Sequence, residues 1–458
     1  MVFSTTLFLF IYLPVTLLVY YITPLKWRNV VLLIANLVFY GWGEPVYIAV
    51  MAASVLFDYI FGILIEKNRE NKKAAKAFVA MSVVLNLGLL VFFKYTDFIF
   101  TNIGMRAPGI ALPVGISFYT FQKMSYIIDV YRADAKAQKN IVSFATFVTL
   151  FPQLIAGPII KYRDVASQIE SRSHTADRFS AGICTFMVGL AKKVLLANNI
   201  GMLWDIYKAC DPASVSALGA WLGALAFTFQ IYFDFSGYSD MAIGLGRMFG
   251  FEFKINFDYP YISKSITEFG RRWNISLGSW FREYLYIPLG GNRVSVPRHM
   301  LNLLIVWAAT GIWHGAAWNF LIWGLYYGAV LVIEKLFLLK LIERLPAGIR
   351  VAYSMFVVII GWVIFAVEDA SSFVSYIGAM FGATGVGAKP ADLYYLISYL
   401  PLMIIMAAAS TPLAKTMYAR LKKKAQYAFC LVAVILGLVV CTAYLVDATY
   451  NPFLYFRF

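Results

Sequence analysis

The sequence predicts an all-α, polytopic integral membrane protein with roughly 11–13 transmembrane helices, and three observations carry that expectation. Of its 458 residues, 61% are hydrophobic and only 14% charged, with a mean hydropathy of +0.71. A soluble domain carries about 45–50% apolar and about 25% charged residues, so the polar surface here is too scarce to cover a globule in water. Apolar runs long enough to cross a hydrocarbon core of about 30 Å recur along the chain. The basic residues fall in alternate loops, as the positive-inside rule requires.

The first charged side chain is Lys26. The run before it has no basic leader and is followed by no small-residue cleavage site, so it reads as a retained first helix near 3–23 and not a signal peptide. Further spans are expected near 29–42, 46–65, 78–97, 112–131, 179–200, 217–235, 351–367, 391–411 and 425–447. With Lys26 and Arg28 inside, the Gly43-Glu44-Pro45 turn falls outside, and the Glu66–Lys76 loop falls inside with Lys67, Arg69, Lys72, Lys73 and Lys76. The loop of Arg106 is then outside, and Arg132, Lys136 and Lys139 are inside.

Residues 140–160 contain Pro152, Gly157 and Pro158, which break or kink a helix. A full crossing here would carry the Arg-rich stretch 251–298 outside. A re-entrant segment keeps the parity, with its loosened backbone buried in protein or lining a cavity. A Pro-kinked span with a miscounted helix elsewhere is the alternative. Residues 301–338 read as two short helices around Gly311–Gly315, the first (301–313) about 20 Å long. That length places His314 within the membrane. Lys335, Lys340, Arg344 and Arg350 return the chain inside, Glu368 and Asp369 lie outside, and Lys415–Lys424 lies inside. The tail TYNPFLYFRF is left on the outer face. The expected organisation is one membrane domain, 1–458. It comprises N-terminal helices (1–139), a core with the re-entrant segment and a cytoplasmic amphipathic block (140–350), and C-terminal helices with an aromatic tail (351–458).

The formal net charge is +15. In a soluble protein that would point to nucleic acid; here the excess sits in inside loops facing anionic lipid, and no nucleic-acid partner is expected. Cys184, Cys210, Cys430 and Cys441 show no metal-ligand spacing. Cys430 and Cys441 lie on one helix, about 16 Å apart along its axis, too far for a bond. Neither a disulfide framework nor a metal site is expected.

Among the three histidines, His174 and His299 sit in polar surroundings and read as solvated. His314 is an ionisable group in an apolar setting, which marks a functional site by default. A neutral imidazole there can take a proton from a hydroxyl; a histidine satisfied by a neighbouring helix is the plainer reading. In EFGRRWNISLGSWFREYLYIPLGG, Phe269, Trp273, Leu277, Trp280, Phe281 and Tyr284 recur at three- and four-residue steps, one apolar helical stripe. Arg271 and Arg282 share another face of that helix. Guanidiniums beside aromatic rings suit a phosphate-bearing ligand such as the diphosphate of coenzyme A, and an interfacial helix touching lipid headgroups fits equally well. In FDFSGYSDMAIG, Asp234, Ser236, Tyr238 and Asp240 could orient a partner or line a cavity, although structural polar packing explains most of them. No nucleophile elbow is present.

Taken together and in order, LPVGISFYTFQ, FPQLIAGPI, FDFSGYSDMAIGLGRMFGF, the EFGRRWNISLGSWFREYLYIPLGGNR block, GIWHGAAWNFLIWG and the tail FLYFRF resemble the membrane-bound O-acyltransferase family, in its bacterial alginate O-acetyltransferase-like branch. The resemblance covers nearly the whole chain. It implies short and re-entrant helices around a central tunnel, acetyl-CoA as acyl donor, no metal, and the WHG histidine, here His314, at the reactive point. Relatives commonly carry RRWHIS where this chain has Asn274. An amide cannot shuttle protons but can hydrogen-bond an oxyanion, so proton transfer falls to His314 alone. Arg271, Arg272, Arg282 and Trp273 are the expected coenzyme A contacts.

Similar aromatic C-terminal motifs in relatives imply that Tyr455 is the acyl acceptor. A phenol of pKa about 10 needs a base to attack at neutral pH, which His314 could supply; an aromatic interfacial anchor is the plainer reading of the tail. The resemblance further implies a bacterial cytoplasmic membrane location with the C-terminus outside. It also implies an extracytoplasmic partner of the SGNH acetyltransferase type, and alginate, peptidoglycan or a secondary wall polymer as final acceptor. Two readings compete: a transporter or flippase of a lipid-linked sugar or polysaccharide, and an inactive scaffold for the outer enzyme.

Overall fold

The structure is a computed structural model and describes residues 1–447 and 453–454. All regular structure among these residues is helical. Among the described residues seven helices are long and apolar enough to cross a membrane: Ile48–Lys67, Lys72–Asn102, Ala176–Lys208, Ala217–Met248, Ala347–Ala366, Pro390–Ala409 and Lys423–Asp447. Shorter apolar helices, such as Phe8–Ile22 and Arg28–Gly41, accompany them. The helices carry outward-facing apolar side chains, including Ile22, Ile397 and Val446, each more than 70% exposed. Such faces are stable in lipid, where helices satisfy their own backbone groups. The protein is a polytopic, all-α membrane protein.

The chain forms two compact units, 1–186 with 238–255, and 187–237 with 256–458. In the first, Ile116–Arg132 is buried on nearly every side. Its polar residues therefore need partners inside the protein. Lys123 Nζ lies 3.3 Å from Asp58 Oδ2, and Asp58 also accepts from Asn86 Nδ2 at 2.9 Å and Ser82 Oγ at 2.5 Å. Asp129 faces Arg163 at 3.6 Å. Residues 140–160 form a nine-residue helix, Ile141–Thr149, about 13 Å long, and a single turn, Phe151–Leu154. Asn140 caps the first by accepting from Val142 N and Ser143 N. The helix stops at Leu150, ahead of Pro152, and residues 150–161 are buried. Asn36 Oδ1 satisfies the Phe151 amide freed by the break, at 3.0 Å.

In the second unit, Val296–His314 and Trp318–Ile333 form a tight hairpin that packs on Ala347–Ala366. The first hairpin helix has 19 residues, about 28 Å, and is longer than the 301–313 expected. Pro297 sits in its first turn, where a missing N–H costs nothing and the fixed φ favours the helix, so the helix begins earlier. The argument from a short helix to the depth of His314 therefore fails.

One further expectation is corrected. Asn274 has φ +43° and ψ +57°, which separates Ile266–Arg272 from Ile275–Phe281. The apolar stripe is thus split over two short helices, and Arg271 and Arg282 share no helix face. Asn is among the few residues that adopt this left-handed conformation readily, and Asn256 braces it, its carbonyl accepting from Ile275 N and its Oδ1 from Ser276 N. Cys210 and Cys441 are free thiols.

Candidate active site around His314

His314 ends the helix Val296–His314. The hairpin that carries it closes on glycines. A Cβ on Gly311 would lie 2.3 Å from the Phe320 carbonyl oxygen, and one on Gly324 would lie 2.3 Å from that of Trp307. Only glycine permits helices so close.

The imidazole is 6% exposed and boxed by aromatic rings. Trp313, Trp323 and Phe365 stand nearly perpendicular to it with centroids 5.1, 5.0 and 5.4 Å away. His314, Trp323 and Phe365 line, with Ile231, Asp234, Phe235, Trp273, Trp362, Phe453 and Leu454, a cavity with about 370 Å³ of empty space, part of it open to solvent. The walls are apolar and aromatic. Polar character enters through His314 and Asp234, the pattern of a small-molecule site with few orienting groups.

Trp273 reaches the cavity because the Asn274 turn ends the helix before it. Its ring lies 4.7 Å from Trp362 and 5.6 Å from Phe269. Glu334 fixes the other end of that helix. Its Oε1 accepts from Ile266 N at 2.7 Å, and its Oε2 from Thr267 N at 2.8 Å and Thr267 Oγ1 at 2.7 Å. Asn274 itself is buried, with its Oδ1 accepting from Ser276 Oγ at 3.4 Å.

The three arginines divide. Arg272 is tied to Glu268 Oε1 at 2.9 Å and to the Asp258 carbonyl oxygen at 3.0 Å, whereas Arg271 and Arg282 are exposed. None of the three lines the cavity with His314.

The other two histidines are partly exposed and also hydrogen-bonded. His299 Nε2 lies 3.0 Å from the Tyr286 hydroxyl. His174 Nδ1 lies 3.1 Å from Arg28 Nη1, and its Nε2 lies 2.8 Å from the Tyr20 hydroxyl.

Of the FDFSGYSDMAIG residues, Asp234 lines the cavity, Ser236 and Tyr238 are buried and Asp240 is partly so. Three features escaped sequence reasoning. Lys193 pairs with Asp234; its only signal was a charge within the apolar run Ala176–Lys208. The rings of Trp323, Trp362 and Phe365 read as ordinary core. Phe453 and Leu454 also enter the cavity, with the Leu454 amide donating to Asp234 Oδ2 at 2.9 Å. Tyr455 lies outside the described residues. Among the described residues no group of three or more His, Cys, Asp or Glu side chains is arranged to hold a metal ion.

Residues 132–368 match the model of the membrane-bound O-acyltransferase family. The chain is 44% identical to "Probable alginate O-acetylase AlgI" of Azotobacter vinelandii over 392 residues, covering 83% of this chain and 78% of that one. It is 33% identical to the peptidoglycan O-acetyltransferase of Helicobacter pylori over 428 residues, 84% of this chain and 81% of that one. The teichoic acid D-alanyltransferase of Streptococcus thermophilus is 29% identical over 247 residues, half of this chain and 58% of that one. The chain belongs to the membrane-bound O-acyltransferase family and is an O-acyltransferase.

Proposed function

We propose that this enzyme takes an acetyl group from cytoplasmic acetyl-CoA and passes it across the bacterial cytoplasmic membrane for O-acetylation of an extracytoplasmic polysaccharide. The alginate and peptidoglycan O-acetyltransferases among its relatives support the acyl group and the acceptor class. The observation that carries the reading is that Phe453 and Leu454 line the same cavity as His314. Tyr455 is the next residue in the chain.

His314 Nε2 or Nδ1 removes the proton of the Tyr455 phenol, and the phenolate oxygen attacks the thioester carbonyl. The C–S bond then breaks, the acetyl group remains on the tyrosine oxygen, and the thiolate of coenzyme A leaves with the proton held by His314. The Asn274 side chain stabilises the oxyanion between these steps. Arg271 and Arg282, exposed at the C-terminal ends of the two short helices, receive the diphosphate, while Arg272 and Trp273 shape the approach. The acetyl-tyrosine hands its acyl group to a serine of an SGNH-type partner outside the membrane, where the C-terminus lies, and that partner acetylates the polysaccharide.

The test is intact-mass analysis of the purified protein after exposure to acetyl-CoA. An acetyl adduct should form and be abolished by Tyr455→Phe and by His314→Ala. An adduct that survives Tyr455→Phe would remove Tyr455 from the pathway. Transport of a lipid-linked sugar without thioester turnover would instead make the protein a flippase.

A further inference from the structure

Two charged side chains with no part in that chemistry are buried together at the cavity wall. Asp234, on the helix Ala217–Met248, is 2% exposed. Its Oδ1 accepts from Lys193 Nζ, and Lys193 is 3% exposed. Its Oδ2 accepts from the backbone N–H of Leu454 at 2.9 Å. Lys193 lies on the π-helical turn Lys192–Ala197, a departure from regular helix that often accompanies function. That turn packs against Gly237, where a Cβ would lie 3.1 Å from Lys193 N.

A carboxylate removed from water is stabilised by a cation and by hydrogen-bond donors beside it. Once charged, it holds a backbone N–H about twice as strongly as a neutral acceptor does. Phe453 adds an apolar anchor, 1% exposed with its ring 5.8 Å from Phe235.

We propose that the Lys193–Asp234 pair is a latch for the C-terminal segment. Lys193 pairs with Asp234 in the cavity wall, Asp234 grips the Leu454 amide, and the grip fixes the register in which the following residue is offered to His314. The latch rests on the reading of Tyr455 as acyl acceptor. Both members are positioning residues, since their role is exerted through the tail. Recognition of a backbone N–H makes no demand on side-chain identity.

Carboxypeptidase trimming of the full-length protein in detergent, read by intact mass, tests the latch. In the wild type, trimming stops at the latched segment and leaves Phe453 and Leu454 in place. Asp234→Asn and Lys193→Met let trimming pass both residues about tenfold faster or more, the scale of a lost charge-assisted hydrogen bond. Lys193→Arg, which keeps the cation, restores protection. His314→Ala keeps the tail protected while losing the acetyl adduct. A variant of either residue that elutes as a single species and is trimmed no faster than wild type overturns the latch, whatever becomes of Tyr455. Release of the tail in Asp234→Asn, with no acetyl adduct on wild-type Tyr455, leaves the latch standing and overturns the acceptor reading instead.

Discussion

Gly311 and Gly324 face each other across the hairpin that carries His314, and each would bring an added Cβ to 3.2 Å from the other's Cα. The nearer obstacles are carbonyl oxygens at 2.3 Å, and backbone cannot move aside as a side-chain tip can. Gly311→Ala or Gly324→Ala must push the two helices apart, at about 1–3 kcal/mol for overpacking. His314 lies three residues beyond Gly311, so its place among the rings of Trp323 and Phe365 moves with the helix. Both variants should melt several degrees lower in detergent and lose most acyl transfer. Gly348→Ala, where a Cβ meets nothing within 4 Å, is the control and should melt like the wild type.

Glu334 acts on the cavity from a distance, through the helix Ile266–Arg272 that ends at Trp273. Its two oxygens serve the amides of Ile266 and Thr267, and the Tyr353 hydroxyl adds a contact to Oε1 at 3.2 Å. Glu334→Gln replaces one acceptor oxygen with a donor amide and leaves one buried N–H unsatisfied, a loss of about 1–3 kcal/mol. The variant should fold less stably and show a higher KM for the acyl donor as Trp273 loses its fixed position. Unchanged melting and KM would mean that the neighbouring packing alone holds this helix.

The long helices were legible because apolar length is a strong signal. Ala217–Met248 runs well past the expected 217–235, since Asp234, Ser236 and Tyr238 face protein interior instead of ending a span. His314 stood out as a lone ionisable group in an apolar stretch. The break at Asn274 did not, because the apolar residues on either side keep three- and four-residue spacing through the turn. Lys193 was hidden beside Lys192 as an ordinary basic pair, and its partner Asp234 is 41 residues away in sequence. The docking of Leu454 was also hidden, because its contact is a backbone amide that every residue except proline possesses.

The Lys123–Asp58 pair is as buried as the latch, at 1% and 2% side-chain exposure. Removing one member leaves an uncompensated charge in a low-dielectric interior, which costs about 3–5 kcal/mol. Lys123→Met and Asp58→Asn should each be strongly destabilised. The double variant removes both charges and should recover much of the loss, while Ser82 and Asn86 keep an acceptor at position 58. A double-mutant cycle on melting temperature measures the coupling; additive losses would show that the two side chains stabilise independently.

His174 gives the fold a pH dependence. Arg28 can only donate, so Nδ1 accepts at 3.1 Å; Nε2–H then donates to Tyr20 at 2.8 Å, and the Tyr20 hydroxyl donates to the Phe249 carbonyl at 2.8 Å. A second proton on Nδ1 displaces the Arg28 donor and meets its guanidinium charge. Burial, then the charges of Arg28 and Arg172, accordingly hold the His174 pKa below its ordinary 6.5. Between the folded and unfolded values the unfolded chain binds the extra proton, so stability rises with pH in that window. The contribution is complete above 6.5 and is lost as the pH falls below it. Melting curves between about pH 8 and about pH 5 should show wild type losing stability on the acid side. His174→Asn should be less stable at neutral pH and flatter over the same range. Parallel curves for the two proteins would assign the acid sensitivity to other groups.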